Sequence, residues 1–181
     1  MPQLGSMAFV FFLFASNLDA AGAEIESLQA TEEEGHISVR FLLSNTSQRP
    51  DIVRALQSGL PTGFTFEIEL IRKRPNWFDD DVARAQIEII CTFNSLTQEY
   101  LLNYRRDRLL VKSEVFGDFH SLMRSMTSIA EERLFPTGKF KPQKLRVRVR
   151  ASLTQGYLLH VVPWQETTPW KQVRVKTRSN R

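Results

Sequence analysis

Lys144-Leu145-Arg146-Val147-Arg148-Val149-Arg150 alternates cationic and aliphatic side chains with a period of two. Successive side chains of a strand point to opposite faces, so this run has one apolar face for a core and one face carrying Arg146, Arg148 and Arg150. A helix would scatter the same residues around its circumference. Gln172-Val173-Arg174-Val175-Lys176-Thr177-Arg178 repeats the pattern, and Thr65-Phe66-Glu67-Ile68-Glu69-Leu70 repeats it with acids in place of cations. A chain with several one-sided strands must pair them and bury their apolar faces against another layer.

Further strands are predicted over residues 24–30, 36–43, 63–74, 83–94, 100–104, 109–116 and 157–162. Glu32-Glu33-Glu34-Gly35 and Arg105-Arg106-Asp107-Arg108 are links of hairpin length, which favours antiparallel neighbours. Two segments change period. Behind Pro50, Ile52, Val53, Leu56 and Leu60 recur at helical spacing, with Gly59 able to close the helix in the left-handed region. Behind Asp118, a natural N-cap, Phe119, Leu122, Met123, Met126, Ile129 and Ala130 form one stripe, and Pro136-Thr137-Gly138 ends that helix. Strands and helices do not alternate, so no parallel sheet is expected. The fold class is mainly β (α+β): an antiparallel sheet or sandwich of about eight strands with two short helices. It occupies residues 24–176 as a single domain, and residues 177–181 are expected to fray.

Before that domain, Met7 to Ala15 is an apolar run too short to span a bilayer, and Ala21-Gly22-Ala23 offers small residues of the kind a signal peptidase accepts. Residues 1–23 therefore read as a signal peptide, which places the protein in the periplasm or outside the cell. The single cysteine, Cys91, lies in the apolar run Ile89-Ile90-Cys91-Thr92-Phe93 and is expected to be buried as a small hydrophobe.

Charge is distributed unevenly. Residues 24–138 carry 13 Lys+Arg against 18 Asp+Glu, whereas residues 139–181 carry 11 against Glu166 alone. A surface of one sign steers partners of the other. Should the two basic strands lie side by side, their cations would form one stripe. They are equally suited to meeting acids of neighbouring strands, such as Glu67 and Glu69, in cross-strand pairs.

Signals of catalysis are sparse. His36, His120 and His160 show no metal-ligand spacing, and no Gly-x-Ser-x-Gly elbow or glycine-rich phosphate loop occurs. Asp79-Asp80-Asp81 lacks the alternation of a calcium loop and reads as a solvated hairpin tip. No cofactor or metal is expected. Trp77, Trp164 and Trp170 fall in predicted connections, where such rings either pack under loops or anchor a partner.

The run Ala55-Leu56-Gln57-Ser58-Gly59-Leu60-Pro61-Thr62-Gly63-Phe64-Thr65-Phe66-Glu67-Ile68-Glu69-Leu70, followed by Arg72-Lys73-Arg74-Pro75-Asn76-Trp77-Phe78-Asp79, resembles the signature stretch of a secreted bacterial family of unknown function, number four-three-nine-zero. The similarity continues through Leu96-Thr97-Gln98-Glu99-Tyr100, the start of the second helix and the first basic strand. It implies export and a single domain, and no activity, cofactor or active residue.

The functional expectation is an exported, non-enzymatic binding or accessory domain of the cell envelope. It would dock on an anionic component (lipid headgroup, lipopolysaccharide or acidic glycan) or a partner protein. Arg146, Arg148, Arg150, Arg174 and Lys176 carry that surface, with Trp77, Trp164 and Trp170 as candidate anchors. One alternative is a periplasmic hydrolase or lyase whose His and Asp residues meet only in three dimensions. The other is a structural domain that adds an exposed strand edge to a partner's sheet.

Overall fold

The computed structural model describes residues 22–46, 49–74, 78–138, 140–155 and 167–178. Of the expected export segment only Gly22 and Ala23 are included. Trp77, His160, Trp164 and the strand expected over residues 157–162 lie outside the described residues.

Among the described residues, ten strands and two α-helices follow one another as β1 (Glu24–Glu33), β2 (His36–Ser44), α1 (Pro50–Gln57), β3 (Thr62–Arg72), β4 (Asp80–Asn94), β5 (Glu99–Arg106), β6 (Leu109–Phe116), α2 (Phe119–Thr127), β7 (Ser128–Pro136), β8 (Leu145–Gln155), β9 (Lys171–Arg174) and β10 (Lys176–Thr177), with a 3-10 turn over Pro142–Lys144. They form a four-stranded sheet in the order β10-β1-β2-β7 and a six-stranded sheet in the order β6-β5-β4-β3-β8-β9. The apolar faces of the two sheets share one core. Ile37, Val39, Phe41 and Leu43 come from β2, and Phe64, Phe66, Ile68 and Leu70 from β3. Phe41 meets Phe66 edge to face across the interior, with ring centroids 5.1 Å apart.

The period-two reading holds where it is strongest. Leu145, Val147 and Val149 are fully buried, with Arg146, Arg148 and Arg150 on the other face of β8. The helix ends also follow the sequence. Pro50 opens α1, and Gly59 adopts φ 76° just beyond it. Asp118 caps α2 by accepting from the Ser121 backbone N–H at 2.8 Å.

Two expectations are corrected. First, α2 ends at Thr127, and the continuation expected to Pro136 is instead strand β7. Ile129 is buried on either reading, but β2 offers a free edge on which Ile129 stands opposite Phe41 and Phe135 opposite Ile37. That ladder overrides the helical period. Second, the basic run 172–178 is not one strand. Val175 is buried and donates its N–H to the Leu145 carbonyl at 3.1 Å, so the chain leaves the six-stranded sheet after β9 and joins the other as β10. The β10 pairing with β1 is a short parallel ladder. Thr177 pairs with Glu32, and Arg178 reaches Glu33 and Glu131 at 3.2 Å each.

Candidate functional site

The cations of β8 stand beside the acids of β3 because the antiparallel register places Arg150 opposite Glu67 and Arg148 opposite Glu69. Arg150 donates to Glu67 Oε2 from both Nε and a terminal nitrogen, at 3.0 and 2.7 Å. Arg148 Nε donates to Glu69 Oε2 at 2.5 Å. Trp170 lies across both guanidiniums, its ring centre 4.8 Å from Arg148 Cζ and 4.6 Å from Arg150 Cζ. The ring is delivered by Thr168, whose backbone N–H donates to the Ala151 carbonyl at 2.8 Å while its hydroxyl accepts from the Ala151 N–H at 2.9 Å. Two of the five cations and one of the three tryptophans singled out from sequence are therefore brought together, held by acids on one side and an aromatic face on the other.

The remaining cations are placed differently. Arg146 stands opposite Arg174 across the β8–β9 ladder, and among the described residues neither has a carboxylate partner. Lys176, across the Val175 crossover, belongs to the other sheet and lines a shallow groove of about 310 Å³ with Gln29, Arg40, Glu131 and Arg178. The single six-cation stripe that adjacent strands would have given is not formed.

Among the described residues, the candidate catalytic groups each have partners of their own, and no three of His, Cys, Asp and Glu gather into a metal-binding group. Asp79 pairs with Lys73 at 2.9 Å, Asp80 with Arg72 and with Arg74 at 2.6 Å, and Asp81 with Arg84 at 2.6 Å. Asp79 and Asp80 thus tie the start of β4 to the end of β3 and the residues just beyond it, whereas Asp81 pairs within β4 and lies 3.9 Å from Arg148 on β8. His36 contacts the Glu34 carbonyl at the β1–β2 turn, and His120 lies 3.0 Å from Arg124 on α2. Cys91 is fully buried, and burial pushes its thiol up to about 12, far from a thiolate at neutral pH.

The feature that sequence reasoning did not single out is the far edge of the six-stranded sheet. β6 is its terminal strand, and no described strand lies beyond it. Leu109, Leu110, Val111 and Val115 are exposed there by 73, 60, 53 and 60%. Behind this edge, between β5 and β6 on one side and α2 and β7 on the other, runs a groove of about 600 Å³ lined by Leu102, Tyr104, Lys112, Arg124, Ile129 and Glu132. Burial, with the nearby Glu132 carboxylate, raises the Tyr104 phenol well above its usual range. Lys112 sits over the Tyr104 ring at 5.7 Å and 3.2 Å from Glu114. The sequence signal was available: Leu109-Leu110-Val111-Lys112-Ser113-Glu114-Val115 has no clean alternation, as befits a strand with neither face fully buried.

Compared with known proteins, residues 20–158 match the model of a domain of unknown function, DUF4390. No curated protein and no solved structure matches the chain.

Proposed function

We propose that this chain, which belongs to the DUF4390 family, is an exported, non-catalytic interaction domain that docks on a partner protein through the open edge strand β6. The observation that carries the reading is an eight-residue terminal strand with four large aliphatic side chains in solvent. Proteins normally blunt such edges with charge, proline or a covering element, because unpaired N–H and C=O groups recruit other strands. Here an edge rich in Leu and Val is left with one lysine, one glutamate that pairs with it, and one irregularity of register beside Val111. Strand addition uses what is on offer: main-chain hydrogen bonds for affinity and alternate side chains for specificity. Export is supported by the apolar run Met7 to Ala15 and the small residues Ala21-Gly22-Ala23.

A photo-crosslinking amino acid at Leu110 or Val115, in cells that make the protein, is expected to give adducts that are absent with the same probe at Gln172 on the opposite edge strand. Equal labelling at all three positions overturns the reading.

A second reading keeps the anionic partner but reduces its surface to Arg146 and Arg174. It is favoured by their direct opposition without an acid, an arrangement that costs energy until an anion bridges it. Binding to phosphatidylglycerol vesicles should then fall with added salt and vanish in R146Q/R174Q. Binding that ignores salt removes this reading.

A further inference from the structure

The open edge has a chemistry that selects its partner. Resting on the edge-docking reading and naming the occupant, we propose that β6 pairs with β6 of a second copy of this chain, antiparallel about a two-fold axis through Ser113. The two six-stranded sheets then run on as one.

Val111-Lys112-Ser113-Glu114-Val115 reads the same in both directions except that its two charges have opposite sign. Across an antiparallel two-fold centred on Ser113, Lys112 of each copy stands opposite Glu114 of the other, Val111 opposite Val115, and Ser113 opposite itself. A closed two-fold interface requires this self-complementarity. Keeping the core faces of both sheets on the same side restricts the axis to a residue position, because a half-step shift puts partner side chains on opposite faces. The neighbouring centres are Lys112 and Glu114, which set lysine against lysine or glutamate against glutamate. Directly opposed like charges destabilise a ladder, so of these three centres Ser113 is the favourable one, and it alone sets Lys112 against Glu114.

Local structure is prepared for that register. Lys112 and Glu114 are already 3.2 Å apart along the strand, about half exposed and on the same face, so a second copy completes an alternating four-charge cluster. Between Tyr104 and Arg105 the β5–β6 register shifts, while Lys112 to Phe116 pairs regularly with Tyr104 to Tyr100. The irregularity ends the flat part of the edge at Val111, which limits pairing to a short ladder and predicts a dimer that dissociates on dilution.

Sedimentation equilibrium of the purified protein over a range of concentrations tests this. The parent is expected to show a reversible monomer–dimer equilibrium. K112E and E114K each place like charges opposite one another twice per dimer and should weaken association by about tenfold or more. The double reversal K112E/E114K restores unlike pairs and should return to within about threefold of the parent. Lys112 is exposed and Glu114 half-buried at the sheet edge, and equal urea midpoints show that the fold is intact. A protein that stays monomeric, single reversals without effect, or a double reversal that fails to rescue each overturn the proposal. If the protein is monomeric and the probe at Val115 still captures another protein in cells, the second copy is wrong and edge docking stands. If the probe captures nothing, both fall.

Discussion

Arg148 Nε donates to Glu69 Oε2 at 2.5 Å across the β8–β3 ladder, and the same carboxylate lies 3.5 Å from Arg84 on β4. Glu69 therefore joins three adjacent strands, and its side chain keeps only 11% of its exposure. Removing the charge leaves the partly buried Arg148 with only the 3.9 Å contact to Asp81, so E69Q should lower stability by about 1–3 kcal/mol. Replacing both partners by aliphatic residues, as in E69L/R148M, should recover most of that loss, because no orphaned charge remains. Urea unfolding midpoints of the two variants check the pair. A single substitution as mild as the double one would show that the bridge contributes nothing.

This pairing also marks the limit of what could be read from the sequence. Alternation identified β8 and the buried Val147 and Val149, since a period of two needs no knowledge of neighbours. Helix ends were legible at Gly59 and Asp118, where one residue carries the geometry. Whether Arg148 and Arg150 face solvent or acid depends on β8 lying beside β3, and strand order is a long-range property that no local pattern encodes. The same blindness hid β6. Its apolar residues predict a strand, but only the sheet order shows that the strand is terminal. The β7 misreading has a local cause, because Met126 and Ile129 are spaced as a helix requires while β2 supplied a ladder from Ser128 onward.

Gly63 is irreplaceable for steric reasons. A Cβ built there would lie 1.9 Å from the Ile89 carbonyl oxygen on β4, which is backbone and has nowhere to go. G63A should cost about 3 kcal/mol or prevent folding. G117A is the control, since nothing lies within 4 Å of its added carbon. Thermal denaturation of the two should differ sharply, and equal stability would mean that β3 and β4 separate without cost.

Acid should weaken the fold in a defined window. The Arg49 guanidinium holds Asp51 below the usual aspartate range, the Arg72 guanidinium does so for Asp80, and the Ser121 N–H does so for Asp118. A carboxyl whose folded value is depressed contributes fully above its unfolded value, about 3.9, and loses that contribution as pH falls through the lower folded value. Urea midpoints should be insensitive to these groups above about pH 5 and fall below about pH 4. D118N keeps a capping oxygen without a titrating proton, so its decline should be shallower than the parent's. Identical slopes would remove Asp118 from the explanation.

Cys91 should be silent in the folded protein. Its thiol is fully buried and pushed up to about 12 by desolvation, so neither access nor thiolate is available. Iodoacetamide at pH 8 should leave the native chain unmodified by mass spectrometry and alkylate it completely in denaturant. Rapid native labelling would mean that β4 opens far more often than its buried position implies.

Arg174 offers the clearest separation of structural from binding roles. It faces Arg146 across the ladder with no ion-paired acid among the described residues, whereas Arg148, one step along the same face, pairs with Glu69 and Asp81, and Arg150, two steps along, with Glu67. If the pair has no ligand, reversing one charge can only help: R174E creates the missing cross-strand bridge and should stabilise by about 0.2–1 kcal/mol at low salt. The gain should shrink as salt is added, because Arg174 is solvent-exposed and Arg146 only half-buried. Should the pair instead hold an anion, the same variant would gain stability and lose vesicle binding together. Measuring urea midpoints and phosphatidylglycerol binding on one preparation therefore decides between a tolerated repulsion and a maintained one. A variant that is less stable than the parent contradicts the cross-strand opposition from which both readings start.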